Sequence, residues 1–240
     1  MSTLSSLPLR LEDVGFAVAG TTLVSGLGFT LEPGPRTVIL GPNGAGKSVT
    51  LRLCHGLLTP TGGRITVGGG GLAAARRRQA MVFQRPVLLR RSALANVAYA
   101  LALRGHSRRE RAGRALAALA RVGLEGLARR PARVLSAGEQ QRLALARAWA
   151  TEPEILFLDE PTANLDPGAA RQVEAAIDAI HRSGTKIVMT THDLAQARRI
   201  ADEILFLNRG RLVEHAAAAA FFDRPATTEA ASFLKGDLPW

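Results

Sequence analysis

Eight residues constrain this chain more than any others. Gly41-Pro42-Asn43-Gly44-Ala45-Gly46-Lys47-Ser48 has the spacing G-x-x-x-x-G-K-[ST], directly after the apolar run Arg36–Gly41 and before the helical run Val49–Leu57. Glycines at these places let backbone N–H groups turn inward on phosphates, and the helix N-terminus at Val49 adds its dipole. Lys47 then reaches the β- and γ-phosphates of a nucleotide, and Ser48 ligates Mg²⁺. Chance supplies about 0.003 such matches in a chain of this composition, before the flanking strand and helix are required.

The remaining sequence supports an α/β fold around that loop. Arg36–Gly41, Gln79–Gln84, Glu154–Asp159 and Lys186–His192 are near-continuous apolar runs, as expected of parallel strands covered on both faces. Leu9–Val18, Leu27–Leu31 and Gly63–Gly69 alternate more and predict a small antiparallel sheet. From Leu88 to Ala150 alanine, leucine and arginine recur at helical spacing, with breaks at Arg104-Gly105-His106, Val122-Gly123 and Arg130-Pro131. The expectation is a phosphate-loop NTPase core with a mixed, mainly parallel sheet, an antiparallel β subdomain and an inserted α-helical subdomain. Residues 1–240 form one domain on this reading, with the core at about 1–87 and 151–240 and the helical insertion at about 88–150. Gly68–Gly71 reads as a flexible turn, and Ala216–Ala220 as a short helix.

Composition narrows the setting. At 47% hydrophobic and 21% charged residues the chain is neither disordered nor collagenous, and its one cysteine, Cys54, excludes an internal disulfide. The N-terminus lacks the pattern of a secretory signal, and no apolar run approaches the ~18–20 residues that span a bilayer, so a cytoplasmic chain is expected. Net charge is +11, and fifteen arginines between Ala73 and Arg133 face only Glu110 and Glu125. Codon bias explains arginine over lysine but not this clustering, which suits anionic headgroups or an acidic partner. Nucleic acid is disfavoured because no aromatics interleave with these arginines.

Two further segments carry chemistry. Ile155–Glu160 is an apolar strand ending in two carboxylates, of which Asp159 would hold Mg²⁺ and Glu160 would polarise a water for in-line attack. Leu135-Ser-Ala-Gly-Glu-Gln-Gln-Arg142 precedes a helix. On spacing alone, Ser136 and Glu139 form a capping box as readily as an anion site.

The order of the phosphate loop, Gln84, Leu135–Arg142, Ile155–Glu160, Ala163–Asp166 and His192 resembles the nucleotide-binding subunits of ABC transporters over nearly the whole chain. That resemblance implies ATP and Mg²⁺ as cofactors, Gln84 as a contact to Mg²⁺ and attacking water, Glu160 as catalytic base and His192 as a γ-phosphate contact. It places Asp166 in a dimer-contact loop. It also implies that Ser136 and Gly138 close onto ATP held by a second copy of the subunit. Transmembrane permease subunits become the expected partners at the cytoplasmic face of the membrane, with docking through Arg85–Arg91 and Ala93–Leu103 and a substrate-binding protein if the system imports. Resemblance around Leu51–Leu58 and Val82–Ser92 is strongest to importers of tungstate, molybdate and related oxyanions. An exporter or lipoprotein-release ATPase is the alternative within transport, and a soluble clamp on ribosomes or nucleic acid the alternative outside it. A small-molecule kinase would need neither Leu135–Arg142 nor His192. The lack of an extension beyond Trp240 argues against the regulatory domain of sugar-importer ATPases.

Two positions depart from the family pattern. Val18 stands about where an aromatic ring usually stacks on adenine, with Phe16 as the nearby ring, and Ala137 replaces the first glycine of the phosphate-closing motif. The other histidines, His55, His106, His181 and His215, read as structural. Asp202 and Glu203 read as a solvated boundary, and Cys54 as a packing residue.

Overall fold

The computed structural model describes residues 5–69 and 71–237, so Gly70 of the tetraglycine run and the terminal residue Trp240 lie outside the described residues. Strands β1 (Leu9–Val18) and β2 (Thr21–Leu31) form a hairpin, and β3 (Thr37–Leu40) leads through the phosphate loop into helix α1 (Lys47–His55). Then come β4 (Gly62–Val67), α2 (Leu72–Ala75), β5 (Gln79–Val82), α3 (Ala93–Leu103), α4 (Arg108–Arg121) and α5 (Ala137–Trp149). The chain continues as β6 (Ile155–Asp159), α6 (Pro167–Arg182), β7 (Lys186–Thr191), α7 (Leu194–Ile200), β8 (Glu203–Asn208), β9 (Arg211–Ala217), α8 (Ala218–Asp223) and α9 (Thr228–Lys235).

The four apolar runs become β3, β5, β6 and β7 of a six-stranded sheet in the order β5-β6-β7-β3-β8-β9, parallel except for β9. Successive residues of each strand face opposite ways, so one strand feeds two cores. Leu156, Leu158, Ile187 and Met189 pack towards the helices that follow α2, whereas Ile155, Phe157 and Val188 pack towards α1 and the β1–β2 hairpin. Both faces are covered, which is why these segments read as unbroken apolar runs.

β1, β2 and β4 form the antiparallel sheet, in the order β2-β1-β4. β2 starts at Thr21, well before the expected Leu27, because the tight turn Ala19-Gly20 has φ of +48° and +78° and returns the chain at once. Thr21-Thr-Leu-Val-Ser-Gly lacks clean alternation, which hides that half of the strand. The helical region breaks where expected. Ser107 with Glu110 caps α4 and Ser136 with Glu139 caps α5, each as a reciprocal capping box. β8 and β9 have no counterpart among the expected strands. β9 pairs with β8 as far as Ala217, opposite Glu203, so Ala216 and Ala217 are strand and only Ala218 onward is helical.

Candidate active site

The phosphate loop joins the end of β3 to α1 through backbone with positive φ at Gly41, Gly44 and Gly46. Gly41 has φ +153° and a Cβ there would overlap the Leu207 carbonyl oxygen; at Gly46, φ +93°, a Cβ would lie 2.6 Å from Val24 Cγ1. Close approach of backbone therefore shapes the loop. It bounds a cavity of about 290 Å³ lined by residues 43–49, Glu160 and Leu23.

Lys47 crosses this cavity's wall with 5% exposure, its Nζ donating to the carbonyls of Gly41 (2.9 Å) and Pro42 (3.0 Å) and lying 3.7 Å from Glu160 Oε1. Burial pushes the ammonium below its ordinary pKa, against the pull of Glu160 and Asp159. β6 delivers Asp159 beside α1. Its Oδ1 accepts from Ser48 Oγ at 2.7 Å and Thr190 Oγ1 at 2.9 Å, while Oδ2 lies 3.6 Å from the Arg52 guanidinium. Glu160 follows in the left-handed region, φ +44°, with its N–H donated to Thr190 Oγ1 at 2.9 Å. His192, one residue past β7 and 53% exposed, brings Nδ1 to 3.1 Å from Glu160 Oε2.

A hydroxyl and a carboxylate oxygen 2.7 Å apart beside a phosphate cradle suit a hard cation that completes its shell with water and substrate phosphates. Among the described residues there is no cluster of three or more His, Cys, Asp or Glu able to hold a metal. Ser48 and Asp159 would hold Mg²⁺, and Lys47 and the loop N–H groups would hold the phosphates. Mg²⁺ bound there would supply charge neutralisation of a transferring phosphoryl group.

Three expected residues lie elsewhere. Gln84 is exposed two residues beyond β5 and, with Ala137 and Asn164, lines a separate cavity of about 520 Å³. Ser136 is the exposed N-cap of α5, and Gly138 is buried under α6, where a Cβ would come 2.7 Å from Ala169 Cβ. Ala137 opens the helix and is absent from the positive-φ residues, so its Cβ carries no conformational cost here. Asp166 caps α6, accepting from the N–H groups of Gly168 and Ala169 at 2.9 Å. Phe16 packs partly buried against the β1–β2 core, with register shifts on both sides of it, whereas Val18 at the strand end is 52% exposed.

Residues 24–163 match the ABC transporter family. The chain belongs to that family. It is 40% identical over 89% of its length to the Fe(3+) ions import ATP-binding protein of Rhizobium meliloti, of which it spans only 62%. It is also 40% identical to the tungstate uptake system ATP-binding protein of Peptoclostridium acidaminophilum, over 87% of this chain and 98% of that one. Among solved structures, cbiO1 from Clostridium perfringens, part of an ABC transporter complex, superposes with a TM-score of 0.81 at 29% identity over 90% of this chain and 91% of that one. A dimeric ATP-binding cassette in a post-hydrolysis state bound to ADP and Pi gives 0.78 at 28% identity, over 88% and 98%.

Within this ABC cassette, Leu23, Arg52 and Thr190 join the site without having been singled out by sequence. Leu23 is an exposed apolar residue on β2 and Arg52 lies one helical turn past Ser48, both faint signals. Thr190 stands near the end of a buried strand, and its contact to Asp159 depends on strand register rather than on a local pattern.

Proposed function

We propose that this chain is the ATP-hydrolysing subunit of a bacterial importer, a peripheral protein at the cytoplasmic face of the cell membrane that works as a pair of copies beneath permease subunits. The observation that carries this reading is the convergence of Lys47, Ser48 and Glu160 on one cavity of about 290 Å³, with Asp159 held on Ser48 and His192 on Glu160 behind them. Glu160 acts as the base that takes a proton from the attacking water, with His192 orienting it and contacting the γ-phosphate. Ser136 and Gly138 do not line that cavity, in keeping with a role towards ATP bound by the second copy. Gln84 contacts Mg²⁺ and attacking water only after its loop moves towards the cavity, which would tie hydrolysis to the helical region.

Among the described residues no helix is long and apolar enough to cross a membrane, so movement of cargo is assigned to permease partners. Exposed Val87, Tyr99 and Leu103, together with the exposed Arg90 and with Arg91 over the Tyr99 ring, suit docking to them. The cargo is proposed to be an oxyanion such as tungstate or molybdate, delivered by a substrate-binding protein. This rests on the tungstate relative, matched over 98% of its length, and on a phosphate-import relative of Natronomonas pharaonis, 36% identical over 89% of its length. Tungstate-dependent uptake should disappear in cells lacking the chain, and loss of iron uptake instead would replace the oxyanion reading.

The hydrolytic reading is tested with two variants. Lys47→Ala should lose ATP binding and hydrolysis, and unchanged affinity and turnover would remove the phosphate-loop assignment. Glu160→Gln should keep ATP binding, lower turnover by about 10²-fold or more, and accumulate an ATP-bound dimer visible by size-exclusion chromatography. A variant that hydrolyses normally would remove Glu160 as base.

A further inference from the structure

Thr190 is fully buried near the end of β7, paired in register with Asp159 on β6 and with Ile39 on β3. A hydroxyl in such a place costs stability unless its hydrogen-bonding capacity is used. Here it is used in both directions, and on two different residues of the site. Thr190 Oγ1 donates to Asp159 Oδ1 at 2.9 Å and accepts the Glu160 backbone N–H at 2.9 Å. The first contact fixes the rotation of the carboxylate that also receives Ser48. The second secures a non-glycine residue at φ +44°, a conformation that persists only where surroundings hold it.

We propose that Thr190 is a positioning residue of the hydrolytic site: a single buried hydroxyl presets the orientation of Asp159 for Mg²⁺ and the backbone of Glu160 for its work on water. The proposal rests on the hydrolytic reading above. Its physical content is a competition. Asp159 Oδ2 already lies 3.6 Å from the Arg52 guanidinium. With the hydroxyl gone, Oδ1 keeps only Ser48, and the carboxylate is free to swing towards Arg52. At the same time the Glu160 N–H loses its acceptor, and the left-handed backbone loses its tie to β7. Both losses act on the site rather than on the nucleotide's phosphate cradle, which is built by the loop and Lys47.

The test compares wild type, Thr190→Val, which is nearly isosteric and lacks the hydroxyl, and Thr190→Ser, which keeps it. ATP affinity is measured in excess EDTA and across a Mg²⁺ titration, beside turnover and melting temperature, with Lys47→Ala as control. For Thr190→Val the expected result is Mg²⁺-free ATP affinity within about twofold of wild type, and about tenfold more Mg²⁺ needed for half-maximal tightening of ATP binding. Turnover should fall about tenfold at saturating ATP with little change in KM, since the loss is felt in the transition state. Thr190→Ser should return both to near wild type. A wild-type Mg²⁺ dependence in Thr190→Val, even with a lowered melting temperature, would overturn the proposal and leave Thr190 a core hydroxyl. Equal shifts in the Ser and Val variants would also overturn it. Normal ATP binding by Lys47→Ala would instead overturn the phosphate-loop reading, and the proposal with it.

Discussion

Val18 offers an aliphatic side chain, 52% exposed at the end of β1, where stacking on adenine calls for a ring. Phe16 cannot supply that ring without leaving the core against which it packs. Val18→Tyr is therefore expected to tighten ATP binding by about 0.5–1.5 kcal/mol, the scale of an added aromatic contact. Titration of the purified variant with ATP checks this, and no tightening would place the base elsewhere, with Leu23 at the cavity wall the first surface to test. The phosphate loop was legible because its eight residues are consecutive and each glycine answers to a backbone constraint. Thr190 and Arg52 were not, because their contacts to Asp159 arise from the register of β7 on β6 and from one turn of α1, which no local pattern encodes.

At the scale of elements, the base of the sheet holds a polar cluster where sequence suggested only a solvated boundary. β8 begins at Glu203, whose carboxylate receives Lys186 Nζ at 3.2 Å, the Thr37 hydroxyl and His215 Nε2 at 3.3 Å. Asp202 pairs with Arg36 at 2.9 Å. The sequence concealed this because the partners come from β3, β7 and β9, and β8 and β9 were themselves unread. Burial alone would raise the Glu203 pKa, but hydrogen bonds from His215, Thr37 and Lys186 hold it down to about 2. Its folded pKa lies below its unfolded one, so its stabilisation is complete above about pH 5 and is lost as pH falls towards 2. Lys186, 2% exposed, has its own pKa lowered by burial despite Glu203, so the ammonium depends on this counterion. Glu203→Gln should cost about 2 kcal/mol at pH 7, less than for a fully buried pair because the Glu203 side chain is 20% exposed. Denaturant melts from pH 7 to 2 should show the gap between variant and wild type closing on acidification. A gap independent of pH would mean that the contribution of Glu203 is packing rather than charge.

At the scale of the whole molecule, a net charge of +11 sits largely on the helical region and its approach. Structure divides those arginines by task. Arg121 lies 4.8 Å over the Trp149 ring, and the Arg142 guanidinium donates to the Val122 carbonyl at 2.8 Å, so these two serve the fold. Arg91 stacks 5.8 Å from the exposed Tyr99 ring, and Arg90 beside it is exposed and carries no ion pair among the described residues. Val87 and Leu103 are both 71% exposed, so the stretch from Val87 to the end of α3 exposes cationic and apolar side chains together. Such a surface fits a partner that presents apolar contacts and negative charge together, as a permease near anionic headgroups would. Reversing both charges, Arg90→Glu with Arg91→Glu, should turn complementarity into repulsion and weaken co-purification with the permease, most at low salt, where screening is least. ATP binding by the isolated subunit should stay intact, because Lys47, Asp159 and His192 make none of their contacts through these arginines. Assembly unaffected at low and moderate salt would reduce the cluster to a solvated face, whereas loss of ATP binding would assign these two arginines to the fold as well.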